Sequence, residues 1–318
     1  MPTGPQGDAK ATVALFKMLL SRDTEKEIIQ QMVRKDPKRQ LEPKLLDIIE
    51  SAPSEIGVYY MHRKDGSIIY IGKSKNIKKR LVQHFTNDNR KSKKIQLEVA
   101  EVTYEETGNE LIALLKESEE IKRNKPVYNR ALRKNLFTHQ LTSFKDDNGY
   151  LNLKIEKADS RKKAITTFTN YQQAKSSLFR ITEEHQLCQK LTGLHETKGP
   201  CFLHGVKDCY GACIGKEPSE EYNERVKGFI EKYSYANKDM LIVDRGREVD
   251  ERSAILIENG AYIGFGFYSL NYQITNPEVL KSIINPMQNN RDSQHIIQTY
   301  LRKNKVLKIV NLATHTVD

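Results

Sequence analysis

The chain has 318 residues, 29% of them charged, and its 52 Lys and Arg outnumber 41 Asp and Glu to give a formal net charge of +11. That length allows two or three domains with cores of their own. No apolar run approaches the ~20 residues that span a bilayer, and Met1 is not followed by a charged-then-apolar signal pattern, which argues against membrane and secreted classes and for a cytoplasmic location.

Taken in chain order, residues 1–21 read as one helix around Val13-Ala14-Leu15-Phe16 opened by Gly7-Asp8, and residues 22–52 as a charged helical linker closed by Ser51-Ala52-Pro53. Two apolar runs, Ile56 to Met61 and Ile68 to Ile71, then flank Asp65-Gly66, which predicts a β-hairpin. With Asp65 and Gly66 as the loop, Tyr59 faces Gly72 and Met61 faces Tyr70, so these four side-chain positions share one face and two phenols converge. A basic helix follows over 76–85, with Ile77, Leu81 and Phe85 every four residues and Arg80 and His84 one turn apart. Between Lys73 and Lys94 stand Lys73, Lys75, Lys78, Lys79, Arg80, Arg90, Lys91, Lys93 and Lys94 against the single acid Asp88, an electrostatic footprint for nucleic-acid phosphates.

A third strand is predicted over 98–104 and a helix over 109–124, whose Leu111, Leu114, Leu115, Ser118 and Ile121 form one stripe. Glu110 and Glu117 lie along the edge of that stripe, where a carboxylate reaches a cleft floor without unpaired burial. Further on come a strand over 149–155, a helix over 172–191, and four cysteines within 26 residues, which suit a metal site better than a disulfide framework. Strands over 240–243, 254–257 and 262–268, the last two joined at Asn259-Gly260, a helix over 293–303 and a strand over 306–310 complete a small α+β module. Its Tyr262, Phe265, Phe267 and Tyr268 are expected in a core, and no catalytic constellation is legible in it.

Gly57-Val58-Tyr59, then Tyr70-Ile71-Gly72-Lys73, Asn76 and Arg80, then Glu117 twelve residues before Asn129 in Pro126-Val127-Tyr128-Asn129, resemble the GIY-YIG nuclease family in its UvrC-like branch. The resemblance implies an α+β fold with a small antiparallel sheet and flanking helices, and metal-dependent hydrolysis of DNA phosphodiesters. It implies Glu117 as the ligand of Mg2+ or Mn2+, Tyr59 as general base, Tyr70 and His84 as groups that bind or orient phosphate, and Asn129 as a residue that fixes the site. His84 stands where UvrC-like members often carry Tyr. Arg80 can fork onto a phosphate oxygen, and Lys73 together with the metal is the expected source of the field that lowers a tyrosine pKa. Lys75, Lys78, Lys79, Arg90, Lys91, Lys93 and Lys94 are the expected DNA-binding cations.

The spacing Cys188-x12-Cys201-x7-Cys209-x3-Cys213, with Gly199-Pro200-Cys201-Phe202-Leu203 and Cys209-Tyr210-Gly211-Ala212-Cys213, resembles the cysteine region that follows the nuclease domain in UvrC-like proteins. The resemblance implies a 4Fe-4S cluster, with Zn2+ as the alternative because four thiolates suit both. Beyond about residue 236 the likeness stops. Gly7-Asp8-Ala9-Lys10-Ala11-Thr12 is similar to the last acidic motif of proofreading exonucleases of the epsilon type, as if the chain were the tail of an exonuclease and nuclease fusion. Asp8 alone cannot hold two metals, so no exonuclease activity is expected.

The organisation expected is an exonuclease-like remnant (1–21), a linker (22–52), the nuclease domain (53–134), a connecting region with the cysteines (135–217) and the C-terminal α+β module (218–318). The expected function is single-strand DNA incision in repair, in company with a damage-recognition or replication protein and with no membrane. A non-catalytic module for structured DNA, and an accessory segment of a proofreading exonuclease, are the alternatives.

Overall fold

The computed structural model describes residues 12–15, 17–18, 41–133, 135–196, 199–206, 209–234, 238–271, 277–303 and 306–312. Of the expected N-terminal helix, residues 12–15 and 17–18 are helical; Asp8 and the linker up to residue 40 lie outside the described residues.

Helix α1 (Pro43–Ser51) starts with its proline in the first turn, where the missing N–H costs nothing. Its Leu45 and Ile49 are buried against Leu81, Phe85, Ile95 and Val99, so the end of the expected linker is part of the core of the domain that follows. Burying two such side chains contributes roughly 1.5–3 kcal/mol each. Strands β1 (Gly57–His62) and β2 (Ile68–Ser74) form the hairpin, with Tyr59 opposite Gly72 and Met61 opposite Tyr70 as expected. The turn is wider than two residues. Arg63 N–H bonds Ser67 O at 3.0 Å, and a bulge between Met61 and His62 takes up the difference, which restores the register before the tyrosines.

Asn76 caps α2 (Ile77–Thr86) through Lys79 N–H, and Asn89 caps α3 (Arg90–Glu98) through Ser92 N–H, each at 2.8 Å. The strand expected over 98–104 therefore begins later. Val99 ends α3 and is fully buried in the helical core, and β3 (Glu101–Glu106) pairs with the outer side of β1. Most side chains of this edge strand face solvent, so it carries little of the alternation that marks a strand in sequence. The sheet order is β2-β1-β3.

Helix α4 (Glu110–Asn124) differs from its expected single stripe, because it is apolar on two faces. Ala113 and Ile121 pack on Val58 and Ile71 of the β2-β1-β3 sheet. Leu111, Ile112 and Leu115 pack the other way, on Met240, Ile242, Ile255, Ile257 and Phe265 of the C-terminal sheet. Glu117 stands four residues from both Ala113 and Ile121, within the sheet-facing stripe and not at its edge.

The middle of the chain is a second three-stranded sheet, β5-β4-β6, of β4 (His139–Lys145), β5 (Leu151–Lys157) and β6 (Thr166–Phe168). Helix α5 (Tyr171–Glu184) stops seven residues before the expected end, since Gln186 turns left-handed with φ 50°. Short helix α6 (Phe202–Gly205) lies in the cysteine loop, and α7 (Ser219–Tyr233) buries Tyr222, Val226 and Phe229 with Leu141, Leu153, Leu178 and Ile181. This core thus runs past residue 217, where the sequence placed a boundary.

The C-terminal sheet has the order β10-β9-β8-β7-β11, from β7 (Met240–Arg245), β8 (Glu251–Glu258), β9 (Ala261–Ser269), β10 (Asn285–Pro286) and β11 (Lys308–Asn311). Asn259 and Gly260 make the expected tight turn with φ of 49° and 71°. Helix α8 (Pro277–Ser282) covers one face with Leu280, and α9 (Arg291–Lys303) covers the other with Ile296 and Ile297. Tyr262 and Phe265 are buried in this module, as expected.

Candidate active site

The hairpin and α2 deliver Tyr59, Tyr70 and His84 to one spot. The Tyr59 and Tyr70 rings are 6.1 Å apart, and His84 meets them edge-on at 5.9 and 5.0 Å. Gly72 makes the pocket possible, because a Cβ there would lie 2.4 Å from the Tyr59 hydroxyl. Tyr59 Oη bonds His84 Nε2 at 2.8 Å. Burial, together with the cations of Arg80 and Lys91, pulls the His84 pKa down to about 4, so the imidazole is neutral at ordinary pH and, in the tautomer protonated on Nδ1, Nε2 accepts from the phenol.

The field on the phenols differs from the expected one. Burial and the neighbouring Tyr70 hold the Tyr59 pKa above its ordinary value, and the cation that opposes this shift is Arg80. Burial and Glu117 raise Tyr70 in the same way, again against Arg80, whose guanidinium faces both phenols. Lys73 is engaged elsewhere. Its ammonium pairs with Glu110 at 2.5 Å, Lys75 pairs with the other Glu110 oxygen at 2.9 Å, and its backbone N–H donates to Glu117 Oε1 at 3.0 Å.

Glu117 is the carboxylate beside the tyrosines. Burial pushes its pKa up to about 7, with the Lys73 N–H and charge and Arg80 acting against the shift. A half-buried carboxylate that has no ion pair among the described residues, anchored on one oxygen, is a donor that a hard divalent cation fits. That cation competes with the proton. Mn2+ binding should therefore weaken as pH falls through about 7, with about one proton released per ion bound below it. Calorimetric Mn2+ titrations at pH 6 and pH 8, in two buffers of different ionisation enthalpy, check this; equal affinities without proton release would contradict it. The metal-free fold should lose stability as pH rises from the ordinary 4.5 to about 7, since the folded state keeps a proton there that the unfolded chain gives up.

Asn129 fixes the strand beneath. Its Oδ1 accepts from Ile71 N–H at 2.9 Å and its Nδ2 donates to Ile71 O at 2.7 Å, holding β2 between Tyr70 and Gly72. Of the basic residues, Lys78 reaches Glu50 O at 3.1 Å, Lys93 faces Asp88 at 3.7 Å, and Lys79, Arg90 and Lys94 lie on α2 and α3. Lys91 is different. Its ammonium sits 4.4 Å over the Tyr70 ring, a place in the site that the sequence did not signal because Lys91 stands in a run of four cations over 90–94.

Some distance along the chain, Cys188, Cys201 and Cys213 bring their sulfurs within 4.8 Å of one another. Cys201 hydrogen-bonds the thiols of Cys188, Cys209 and Cys213, so all four gather in one pocket, with no disulfide. Burial pushes the Cys188 thiol up to about 12. Four converging thiols, those of Cys188 and Cys201 buried, fit a metal centre whose charge offsets that burial.

Residues 55–130 match the UvrC-like GIY-YIG domain family, and residues 140–232 match the middle domain of the UvrC/Cho excinucleases. The chain thus carries a GIY-YIG endonuclease domain of the UvrC type followed by a UvrC/Cho middle domain. UvrABC system protein C of Mycoplasma pneumoniae is 32% identical over 202 residues, 59% of this chain and 32% of that protein. Excinuclease cho of Escherichia coli K12 is 30% identical over 194 residues, 59% of this chain and 64% of that protein. The match thus spans under two thirds of either relative. The crystallised N-terminal endonuclease domain of UvrC from Thermotoga maritima, bound to its catalytic magnesium, is 35% identical, with 28% of this chain and 99% of that one covered at a TM-score of 0.26. Among the described residues, no helix is long and apolar enough to cross a membrane.

Proposed function

We propose that this protein is a metal-dependent DNA endonuclease that incises one strand of damaged or structured DNA, acting with a damage-recognition or replication partner in excision repair. The observation that supports it most is the convergence of Tyr59, Tyr70, Arg80 and His84 with Glu117 at one end of the hairpin, next to the cationic faces of α2 and α3. A module that only bound DNA would need the cations but not a desolvated carboxylate facing two buried phenols. Asp8, on which the exonuclease-accessory reading turns, lies outside the described residues.

Glu117 would hold Mg2+ or Mn2+, which when bound supplies positive charge to the phosphoryl oxygens. Arg80 forks onto the scissile phosphate and stabilises the charge that gathers in the transition state. With its raised pKa Tyr59 is a poor base alone, but it is bonded to a neutral imidazole. As the water oxygen bonds phosphorus and the P–O bond to the leaving oxygen breaks, the water gives its proton to Tyr59 Oη while the phenolic proton moves to His84 Nε2, and the leaving alkoxide takes a proton from solvent. Burial is the larger cause of the low His84 pKa, and Arg80 and Lys91 add to it; a bound phosphodiester offsets the two cations and so removes that part of the penalty on protonated His84. Tyr70, under Lys91, orients the phosphate, and Asn129 keeps β2 in register. Lys75, Lys78, Lys79, Arg90, Lys91, Lys93 and Lys94 supply salt-dependent affinity for the DNA backbone.

Tyr59→Phe removes the relay and leaves His84 Nε2 without its donor. It should lower the nicking rate by about 10²-fold, in the range of general-base catalysis, and cost only ~1 kcal/mol of stability. Single-turnover kinetics and a melting curve test this, and a variant that nicks at the parental rate would remove Tyr59 from the chemistry. In the middle domain, Cys188, Cys201, Cys209 and Cys213 would hold a 4Fe-4S cluster or Zn2+. Incision of a duplex bearing one bulky adduct or one branch, compared with intact duplex, tests the substrate class; equal rates on all three would contradict it.

A further inference from the structure

We propose that the C-terminal module holds the metal-binding helix of the nuclease in place, and that Asn109 is the positioning residue through which it acts. This rests on the nuclease reading for Glu117, but its structural core can be tested without activity.

Asn109 is buried, and its side chain does two jobs at once. Its Oδ1 caps α4 by accepting from Ile112 N–H at 3.0 Å, while its Nδ2 donates to Arg245 O at 2.8 Å and Ser253 Oγ at 2.9 Å, on β7 and β8 of the C-terminal sheet. Capping needs only the oxygen. The amide nitrogen, satisfied twice across the interface, is what ties the helix start to the module. The backbone is fitted to match: Gly108 has φ 67°, and a Cβ there would lie 2.0 Å from Gly246 O, so the chains meet backbone to backbone.

The far end of α4 is tied to the same module. Lys122 pairs with the buried Asp292 at the start of α9 and reaches Asn290 Oδ1 at 3.3 Å, and Glu119 accepts from Gln288 N–H at 3.3 Å. Between the two ties, Leu111, Ile112 and Leu115 are buried on the C-terminal sheet. The helix is thus fixed at both ends and along its back by residues 240–297, while its front presents Glu117 to Lys73 N–H at 3.0 Å. Each residue of a helix advances it by about 1.5 Å, so a slip of roughly 1 Å takes Glu117 out of hydrogen-bond reach of Lys73 and away from the phenols. Misplacement on that scale can cost on the order of 10²-fold in rate.

The test uses the full chain with Asn109→Ser, which keeps a capping oxygen but is too short to reach Arg245 and Ser253, and Ser253→Ala, which removes one acceptor and leaves the cap alone. The positioning role predicts that the Lys73 amide exchanges about tenfold faster with solvent in Asn109→Ser. It also predicts weaker Mn2+ binding by about fivefold and a kcat for plasmid nicking about tenfold lower at unchanged KM for DNA, all within the cost of misplacement. Ser253→Ala should shift each in the same direction by less, and it carries the test should Asn109→Ser fail to fold. Lower melting temperature with Lys73 exchange and Mn2+ affinity as in the parent would make Asn109 a helix cap and nothing more. If the parent does not nick DNA while Lys73 exchange still accelerates in the variants, the nuclease reading falls and the positioning stands.

Discussion

Glu117→Gln is expected to abolish divalent-metal-dependent nicking, by on the order of 10³-fold, while the protein stays folded and keeps its DNA affinity. The size follows from losing the carboxylate that would hold the metal, a loss of several kcal/mol in transition-state charge stabilisation at about 1.4 kcal/mol per tenfold. Folding should survive, because the amide oxygen still accepts from Lys73 N–H, and a neutral side chain removes the desolvation that pushes the Glu117 pKa to about 7. Binding should survive because it rests on Lys and Arg contacts to phosphate that weaken with salt. Filter binding, melting curves and nicking rates on one preparation separate the three, and a variant that cuts as fast as the parent would place the metal elsewhere.

The second large effect concerns stability. Cys201→Ala should empty the thiol pocket of metal and loosen residues 187–215, leaving the nuclease hairpin standing. Among the described residues, few buried apolar side chains other than the cysteines hold this loop: Leu187, Leu191 and Ala212. Metal binding is then folding free energy for the region, and structural four-ligand sites contribute roughly 10 kcal/mol or more. Hydrogen exchange should collapse over 187–215 and stay protected over β1 and β2. Anaerobically purified parent should contain one centre per chain, brown with iron and sulfide if it is a cluster and colourless with one zinc if not. Metal-free parent whose four thiols all titrate in the folded state would contradict a centre of either kind.

The hairpin was legible because Asp65-Gly66 fixes a turn and alternation fixes a face; a bulge then compensated a wider loop, so Tyr59 and Gly72 met as the pattern required. Convergence of Tyr59 and Tyr70 followed from period two in strands and the shared face of Arg80 and His84 from 3.6 in the helix, whereas only the resemblance brought the helix to the tyrosines. Less legible was anything set by what packs from afar. Val99 reads equally as a strand residue or the end of a helix, and only Ile95 and the α1 residues Leu45 and Ile49 beside it make it helical core. The two-faced packing of α4 was hidden because its second partner lies more than a hundred residues away, and Ala113 and Ile121 of one face blur with Leu111, Leu114 and Leu115 of the other into one broad stripe. The pairing of Lys73 with Glu110 and the approach of Lys91 to Tyr70 depend on rotamers, which a single sequence does not specify.

The central claim is that Glu117 and the tyrosine pocket cut DNA, and supercoiled plasmid incubated with the full chain tests it most directly. Conversion to the nicked circle in Mg2+ or Mn2+, absent in EDTA and absent with Glu117→Gln, is the result predicted. Plasmid that is bound but stays supercoiled in both metals would contradict it and leave a DNA-binding protein without a nuclease.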